Sequence, residues 1–437
     1  MVMLRSARTG DIAQKNLIVD VSDHPDWGTT RQEVIRVLLK AAKEAGCDIR
    51  FGVTVTDVHD EPEKQATVEL SDGSLMYADL IIAADGVLSR LRSKILPPSD
   101  GSLEPQISDF TFYGILVPVS ELKKYPGASR LYDQTAVNSW MGQGVFAVSR
   151  YNPPTELAGL LLCIKDETDQ QGLWDESGDI EYVRRAFKGY CSEIETALRL
   201  ADSCDRWKLV EMPNLPSWTS QGGRVILLGD SAHAMHPNAG QGYSQIVEDI
   251  GVLEYFLRTF PEGTPVSQIT SAWQEFRKPR VERIRDYAKW NTRIFAGEMV
   301  WSSRKPNPQP AKTSVRSLKN VRMDMNAHFA TSAFLKWTLD YDAIDEWLRW
   351  EDEEWKHGLQ RIKEKGFGKK ALEEALGELE QPTQHAVGFW LFPIEAFGPL
   401  HDVDEDPTRE SRLWDHKVHT VFDLSGYKPE LCLQHLP

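Results

Sequence analysis

The sequence predicts an α/β chain interrupted by a mostly antiparallel β-sheet domain and followed by helices. Three observations carry this. Two short apolar runs, Leu80–Ala84 and Val225–Leu228, each lead into an Asp–Gly or Gly–Asp pair and then a helix. Strands buried on both faces of a parallel sheet have that form. Between them, from about Asp109 to Val210, stretches of strand-like residues joined by Gly- and Pro-bearing turns replace the α/β texture. Past residue 300 the spacing of apolar residues becomes helical again.

Taken in order, Met1–Gly10 holds an Arg-Thr-Gly turn, and Leu17–Val21 is a short strand candidate. Thr30 and Glu33 have the spacing of a capping box, in which hydroxyl and carboxylate each satisfy an orphan backbone N–H. Val34, Val37, Leu38, Ala41, Ala42 and Ala45 then recur at helical spacing up to Gly46, a C-terminal glycine. Ile49–Val55 and Ala66–Leu70 are strand-like, and Ser71-Asp72-Gly73 is a turn signal. Leu88–Lys94 starts a helix that Pro97-Pro98 closes. In the central region, Phe110–Val119, Ala136–Met141, Val145–Tyr151 and Leu157–Ile164 are expected strands. One helix, Asp179–Leu200, interrupts them. Ser244–Arg258 follows as a helix with Ile246, Ile250, Leu253 and Leu257 on one face. Ser271–Asn291 is a second helix in which Pro279 marks a kink or break. Lys305–Pro310 has a linker's composition, and Ala343–Glu380 is a charged helical stretch.

The chain has 437 residues, 41% hydrophobic and 26% charged, as expected of a soluble protein of two or three domains. Its formal charge of −15, with no basic run, leaves no electrostatic footprint for nucleic acid. Five widely spaced cysteines without a C-x-x-C argue against a disulfide framework or a structural zinc, and favour a reducing compartment. No apolar run approaches a membrane span, and the first residues lack the pattern of a secretory signal, so a cytoplasmic location is expected. His233 and His236 stand three residues apart without an acidic or thiol partner at metal-ligand spacing, so packing is the expected role. Trp174, Trp207 and Trp218 are expected core anchors.

Two segments carry chemistry. In Asp79–Arg92, a buried strand delivers Asp85 and Gly86 into a tight turn, where ligands of α/β sheets bind. A plain strand–turn–helix corner fits this segment equally well. In Gly223–Ser244, Asp230 closes the apolar strand and projects from the sheet edge. A Pro/Gly loop, Pro237 to Tyr243, then feeds a helix, and Gly240 and Gly242 expose backbone N–H groups where the helix dipole is positive. Such a loop can stabilise an anionic ring atom, and such a carboxylate can accept a hydrogen bond from a sugar hydroxyl.

These segments resemble the "DG" and "GD" motifs of class A flavoprotein monooxygenases, the salicylate-hydroxylase-like aromatic-ring hydroxylases. Further matches are Trp207-Lys208-Leu209, Leu215-Pro216-Ser217-Trp218, Trp273–Arg280 read as W-x-x-x-R-x-x-R, and the aromatic stretch Trp337–Trp347. The resemblance runs from about Gly28 to Trp347. It implies a Rossmann-like FAD-binding domain in two segments, 1–104 and 216–300. A substrate-binding sheet domain at 105–215 and a C-terminal helical region and tail at 301–437 complete the division. By resemblance, Arg31 contacts the ribityl–phosphate region of FAD, and Asp85 serves FAD and nicotinamide use. Asp230 binds the ribityl or pyrophosphate portion; Pro237, Gly240, Gly242 and Tyr243 line the flavin ring.

The activity so implied is NAD(P)H- and O₂-dependent hydroxylation or epoxidation of an aromatic or polyketide-like small molecule through a C4a-hydroperoxyflavin, in secondary metabolism. No side chain is assigned as catalytic base. The family's opening G-x-G-x-x-G turn, which places the pyrophosphate on a helix N-terminus, has no counterpart before Arg31, so the FAD-binding domain is expected to be incomplete. That leaves an alternative: a truncated or degenerate relative that does not hold FAD and acts as an accessory protein. A flavin-dependent halogenase would share the fold, but its W-x-W-x-I-P signature is absent.

Overall fold

A computed structural model describes residues 2–19, 31–61, 65–96, 102–133, 136–166, 176–298, 312–318, 320–350 and 418–419. The chain opens with strands β1 (Val2–Ser6) and β2 (Ile12–Val19), then helix α1 (Arg31–Glu44). A three-stranded antiparallel meander follows: β3 (Val55–His59), β4 (Ala66–Leu70) and β5 (Leu75–Ala78). Strand β6 (Leu80–Ala83) and the single turn α2 (Arg92–Ile95) form the first α/β corner. The central region holds β7 (Gln106–Pro118), α3 (Val119–Leu122), β8 (Val137–Met141), β9 (Val145–Asn152) and β10 (Leu157–Lys165). It closes with β11 (Glu176–Gly178), α4 (Ile180–Ala186), α5 (Ser192–Leu200) and β12 (Cys204–Glu211). Then come β13 (Val225–Leu227), α6 (Asp230–His233), α7 (Gly242–Thr259) and α8 (Val266–Phe295). Strand β14 (Lys312–Ser317), α9 (Ser332–Leu339) and the two-residue β15 (Val418–His419) complete the list.

A nine-stranded sheet runs β11-β12-β7-β10-β9-β8-β1-β2-β14. Its pairings are antiparallel except β1 on β8 and β14 on β2. Alternation along β7 explains why it is covered on both faces. Tyr113, Ile115 and Val117 pack with Trp140, Leu160 and Leu162 against Val183, Phe187, Ile194 and Leu198 of α4 and α5. Phe110 and Phe112 face the other way with Phe146, Cys163 and Leu209, and meet Phe295 and Ala296 at the end of α8.

The second sheet is small and parallel, ordered β13-β6-β15, with Ile226 opposite Ile82 and Leu227 opposite Ala83. Because both strands end together, the turns after Ala83 and Leu227 leave the same edge. Helices α7 and α8 pack beside this sheet. Trp273 of α8 is fully buried, donates from Nε1 to the Asp249 carbonyl at 2.9 Å and lies 5.7 Å from the Trp218 ring.

Several local expectations are corrected. Met1–Gly10 is not only a turn: it carries β1, whose edge pairs parallel with β8. Residues 49–54 are not extended, and the strand begins at Val55. The helix expected over Asp179–Leu200 is two, because Gly189 adopts a left-handed φ of 82° between them. The helix after Asp85 is confined to the single turn Arg92–Ile95. Pro279 does not break α8, which runs 30 residues through it. A proline costs the hydrogen bond to the carbonyl four residues back. Arg277 and Arg280, on either side, are anchored so firmly to α7 that the helix continues. Thr30, Trp174, Lys305–Pro310, the tail and the part of Ala343–Glu380 beyond residue 350 lie outside the described residues.

A second unit comprises residues 22–26 and 341–415. Its described part is a helix over 343–350, capped by Asp342 Oδ1, which accepts from the N–H groups of Ile344 and Asp345 at 2.9 and 3.0 Å. Trp347 and Trp350 stack there at 5.0 Å.

Replacing Trp273 by Ala removes the largest side chain of the α7–α8 seam and one buried hydrogen bond. The expected loss is about 3–5 kcal/mol, measured by denaturant unfolding followed by far-UV circular dichroism.

Candidate functional site

The two motifs meet at the shared edge of β6 and β13. After Ala83 the chain turns sharply, and Asp85 Oδ2 accepts from the N–H groups of Arg90 and Leu91 at 3.0 and 3.3 Å. Its second oxygen, Oδ1, is buried and has no hydrogen-bond partner among the described residues. A carboxylate oxygen left so carries a desolvation cost that an incoming donor would relieve. Next to it, a cavity of about 20 Å³ is lined by Ile82, Ala83, Ala84, Asp85, Arg90 and Leu91, with Val55 and Val68 behind.

Ser231 and Arg92 lock the two turns together. Ser231 Oγ lies 2.7 Å from the Ala83 carbonyl and 2.9 Å from that of Leu228. The Arg92 guanidinium is buried and donates to the carbonyls of Ser231 (2.8 Å), Val87 (2.7 Å) and Leu103 (3.1 Å). Burial pushes this guanidinium below its usual pKa, and the Asp85 charge works the other way. Its Nε, Nη1 and Nη2 are thus committed to protein carbonyls.

Gly229 joins β13 to α6 with φ 68°, where a Cβ would meet Ile246 at 3.3 Å. That tight turn leaves Asp230 exposed as the first residue of α6. From His236 the chain forms a 3-10 turn, Pro237–Ala239, and Gly240 takes φ 65° to enter α7 at Gly242. A Cβ on Gly240 or Gly242 would meet nothing within 4 Å, so the space beside both is open, but the Gly240 N–H expected to be free is donated to the Pro237 carbonyl at 2.8 Å, closing the 3-10 turn. Tyr243 is 59% exposed beside it. Arg31 opens α1, and its side chain lies outside the description.

Thus the Asp85 and Asp230 turns leave one sheet edge, and the chain after the second runs through the Pro237–Tyr243 loop into the N-terminus of α7. Helix-end N–H groups, an unsatisfied carboxylate oxygen and an exposed carboxylate suit a ligand that is anionic at one end and bears hydroxyls at the other. In this respect the residues fit FAD.

Behind the loop lies a network that sequence reasoning only half found. His233 Nε2 meets Asp249 Oδ2 at 2.7 Å, and Asp249 Oδ1 accepts from Arg277 Nε at 2.9 Å. Arg277 and Arg280 both bind Glu248, the latter through two parallel bonds of 2.7 and 2.8 Å. Burial works to raise the Glu248 carboxyl, but Arg277 and Arg280 outweigh it and hold its pKa below the ordinary value. W-x-x-x-R-x-x-R was visible as a motif; its pairing with Glu248 and Asp249 was not, since no helical spacing connects the two. His236 enters a different contact, with its Nδ1 3.0 Å from Thr292 Oγ1. Burial lowers its pKa, with Glu211 and Asp109 opposing and Lys289 and Arg293 assisting.

Two expectations follow. Arg92→Met strands carbonyls of both turns, and each unsatisfied buried group costs about 1–3 kcal/mol. Thermal unfolding should fall by several degrees, with loss of whatever the two turns bind. For His236, a folded pKa below the unfolded value of about 6.5 means that the unfolded chain takes up the proton first. Stability should therefore be intact above about pH 6.5 and fall as the pH drops below it; His236→Asn should flatten that slope in melting temperatures taken from pH 7 to 5.

A family model described as an FAD binding domain matches residues 11–288. The chain is 27% identical over 327 residues to FAD-dependent monooxygenase OpS4 of Beauveria bassiana, covering 74% of this chain and 73% of that one. It is 30% identical over 232 residues to FAD-dependent monooxygenase fmqB of Aspergillus fumigatus, covering 51% of this chain and 54% of that one. Among solved structures, a salicylate hydroxylase substrate complex superposes with a TM-score of 0.63 at 21% identity, covering 79% of this chain and 80% of that one, a likeness of fold. With the two motif turns on one sheet edge and the match running through both, the chain belongs to the FAD-binding-domain family of class A flavoprotein monooxygenases.

Proposed function

We propose that the chain is an FAD- and NAD(P)H-dependent monooxygenase that hydroxylates or epoxidises an aromatic or polyketide-like small molecule with O₂. The observation that carries this reading is that the Asp85 and Asp230 turns leave the same edge of the parallel sheet, the second of them leading on to the uncrowded backbone at Gly240 and Gly242. When bound, FAD would supply the oxygen-activating chemistry; the protein's part is binding, orientation and exclusion of water.

In this reading Asp230 binds the ribityl or pyrophosphate portion by accepting hydrogen bonds from ribityl hydroxyls, and Asp85 Oδ1 takes a donor at the first turn. The N–H groups at the start of α7 hold the electron-rich edge of the ring system, where the helix dipole favours negative charge. Pro237 and Tyr243 border the ring, and Arg31 is assigned to the ribityl–phosphate region. The sheet domain, residues 105–215, covers the substrate with the face on which Phe112 and Trp207 stack at 5.4 Å. Such a face suits a flat, apolar ring system. Relatives named as FAD-dependent monooxygenases in two fungi support a role in secondary metabolism, and the salicylate hydroxylase fold supports ring hydroxylation.

Titration of the purified protein with FAD should give a bound flavin absorbance spectrum. NADPH oxidation should then yield a product one oxygen heavier by mass spectrometry across a panel of phenolic and polyketide-like compounds. Asp230→Ala should abolish both. Absence of flavin binding by the unmodified chain would sink the enzyme reading and favour an accessory role, while full activity in Asp230→Ala would refute the assignment of that carboxylate.

A further inference from the structure

The Pro237–Ala239 turn does not hold itself in place; side chains of α8 hold it. Asn291 Nδ2 donates to the Asn238 carbonyl at 3.0 Å, and Asn238 Nδ2 donates to Thr292 Oγ1 at 2.7 Å. The Thr292 hydroxyl donates its one hydrogen to the Ala288 carbonyl at 3.0 Å. A hydroxyl has one donor and two acceptor sites. With the hydrogen committed and one lone pair taken by Asn238, the 3.0 Å contact from His236 Nδ1 must fill the second, so Nδ1 carries the proton. That arrangement gives a neutral His236 ring protonated at Nδ1, with Nε2 buried and without a partner among the described residues. Thr292 is a saturated node binding the residues on both sides of Pro237 to one helix.

The same end of α8 is fastened to the large sheet. Phe295 lies edge-on to Phe146 at 5.6 Å, and the Gly144 N–H donates to the Ala296 carbonyl at 2.9 Å. One rigid helix end thus grips both the loop and the sheet face.

We propose that Thr292, seconded by Asn291, is a positioning residue that sets the Pro237–Gly240 loop for the flavin and ties its position to the sheet domain. This rests on the flavin reading above. None of the motifs that identify the family includes Thr292 or Asn291.

The test compares Thr292→Val, which keeps shape but can neither donate nor accept, with Thr292→Ser, which restores the node. FAD affinity by fluorescence titration should fall about 10- to 100-fold in the valine variant, on the scale that a misplacement near 1 Å brings. The bound-flavin absorption bands should shift, and the serine variant should return both to within about threefold of the unmodified protein. Imidazole ¹⁵N spectra of the unmodified protein, recorded without FAD, should show His236 protonated at Nδ1 alone; this measurement stands even where Thr292→Val fails to fold. A proton on Nε2 instead, or wild-type affinity and spectrum in Thr292→Val, would overturn the proposal. If the unmodified chain binds no FAD while His236 shows the Nδ1–H form, the flavin reading has failed and the role in positioning the flavin falls with it, leaving the hydrogen-bond node itself intact.

Discussion

Asp249 has no exposure to water, and the placement of α7 and α8 follows from that constraint. A buried carboxylate is tolerable only when every lone pair has a partner, because desolvation alone costs several kcal/mol. Here His233 of α6 partners one Asp249 oxygen and Arg277 of α8 the other, while Arg277 and Arg280 pair the neighbouring Glu248. Each side chain must hold its position for the charges to remain compensated. The helix that begins at the Gly240–Gly242 turn is thereby fixed along its length, and its open N-terminus faces a defined direction.

The parallel pair β6–β13 provides the second fixed reference. Register along three residues places the two acidic turns side by side. Ser231 and Arg92 then exchange hydrogen bonds between the turns and not with solvent. Polar satisfaction and site geometry are the same set of bonds here. The edge left over, with Asp85 Oδ1 unpaired and the glycine backbone uncovered, is where the molecule has spare hydrogen-bonding capacity.

Much of this was legible in the residues. The two apolar runs, the aspartates that close them and the glycines of the second loop have period and chemistry that only a few environments explain. Elements with local competition were less legible. Gly189 divides a helix whose apolar spacing continues across the break, and Pro279 sits in a helix that its own local preference opposes. Val2–Ser6 reads as nondescript because its stability comes from pairing with β8, more than a hundred residues away.

The sequence by itself determined the family, the two motif turns and the candidate residues Asp85, Asp230 and Pro237 to Tyr243, because backbone conformation, burial pattern and helix-end chemistry are local properties. Only the tertiary structure decided what those turns rest on. That Arg92 serves protein carbonyls, that His233 pairs with Asp249, and that Thr292 meets both His236 and Asn238 are long-range facts. They depend on hydrogen bonds between residues 16 to 139 positions apart, and no spacing within a helix or strand encodes such a pairing.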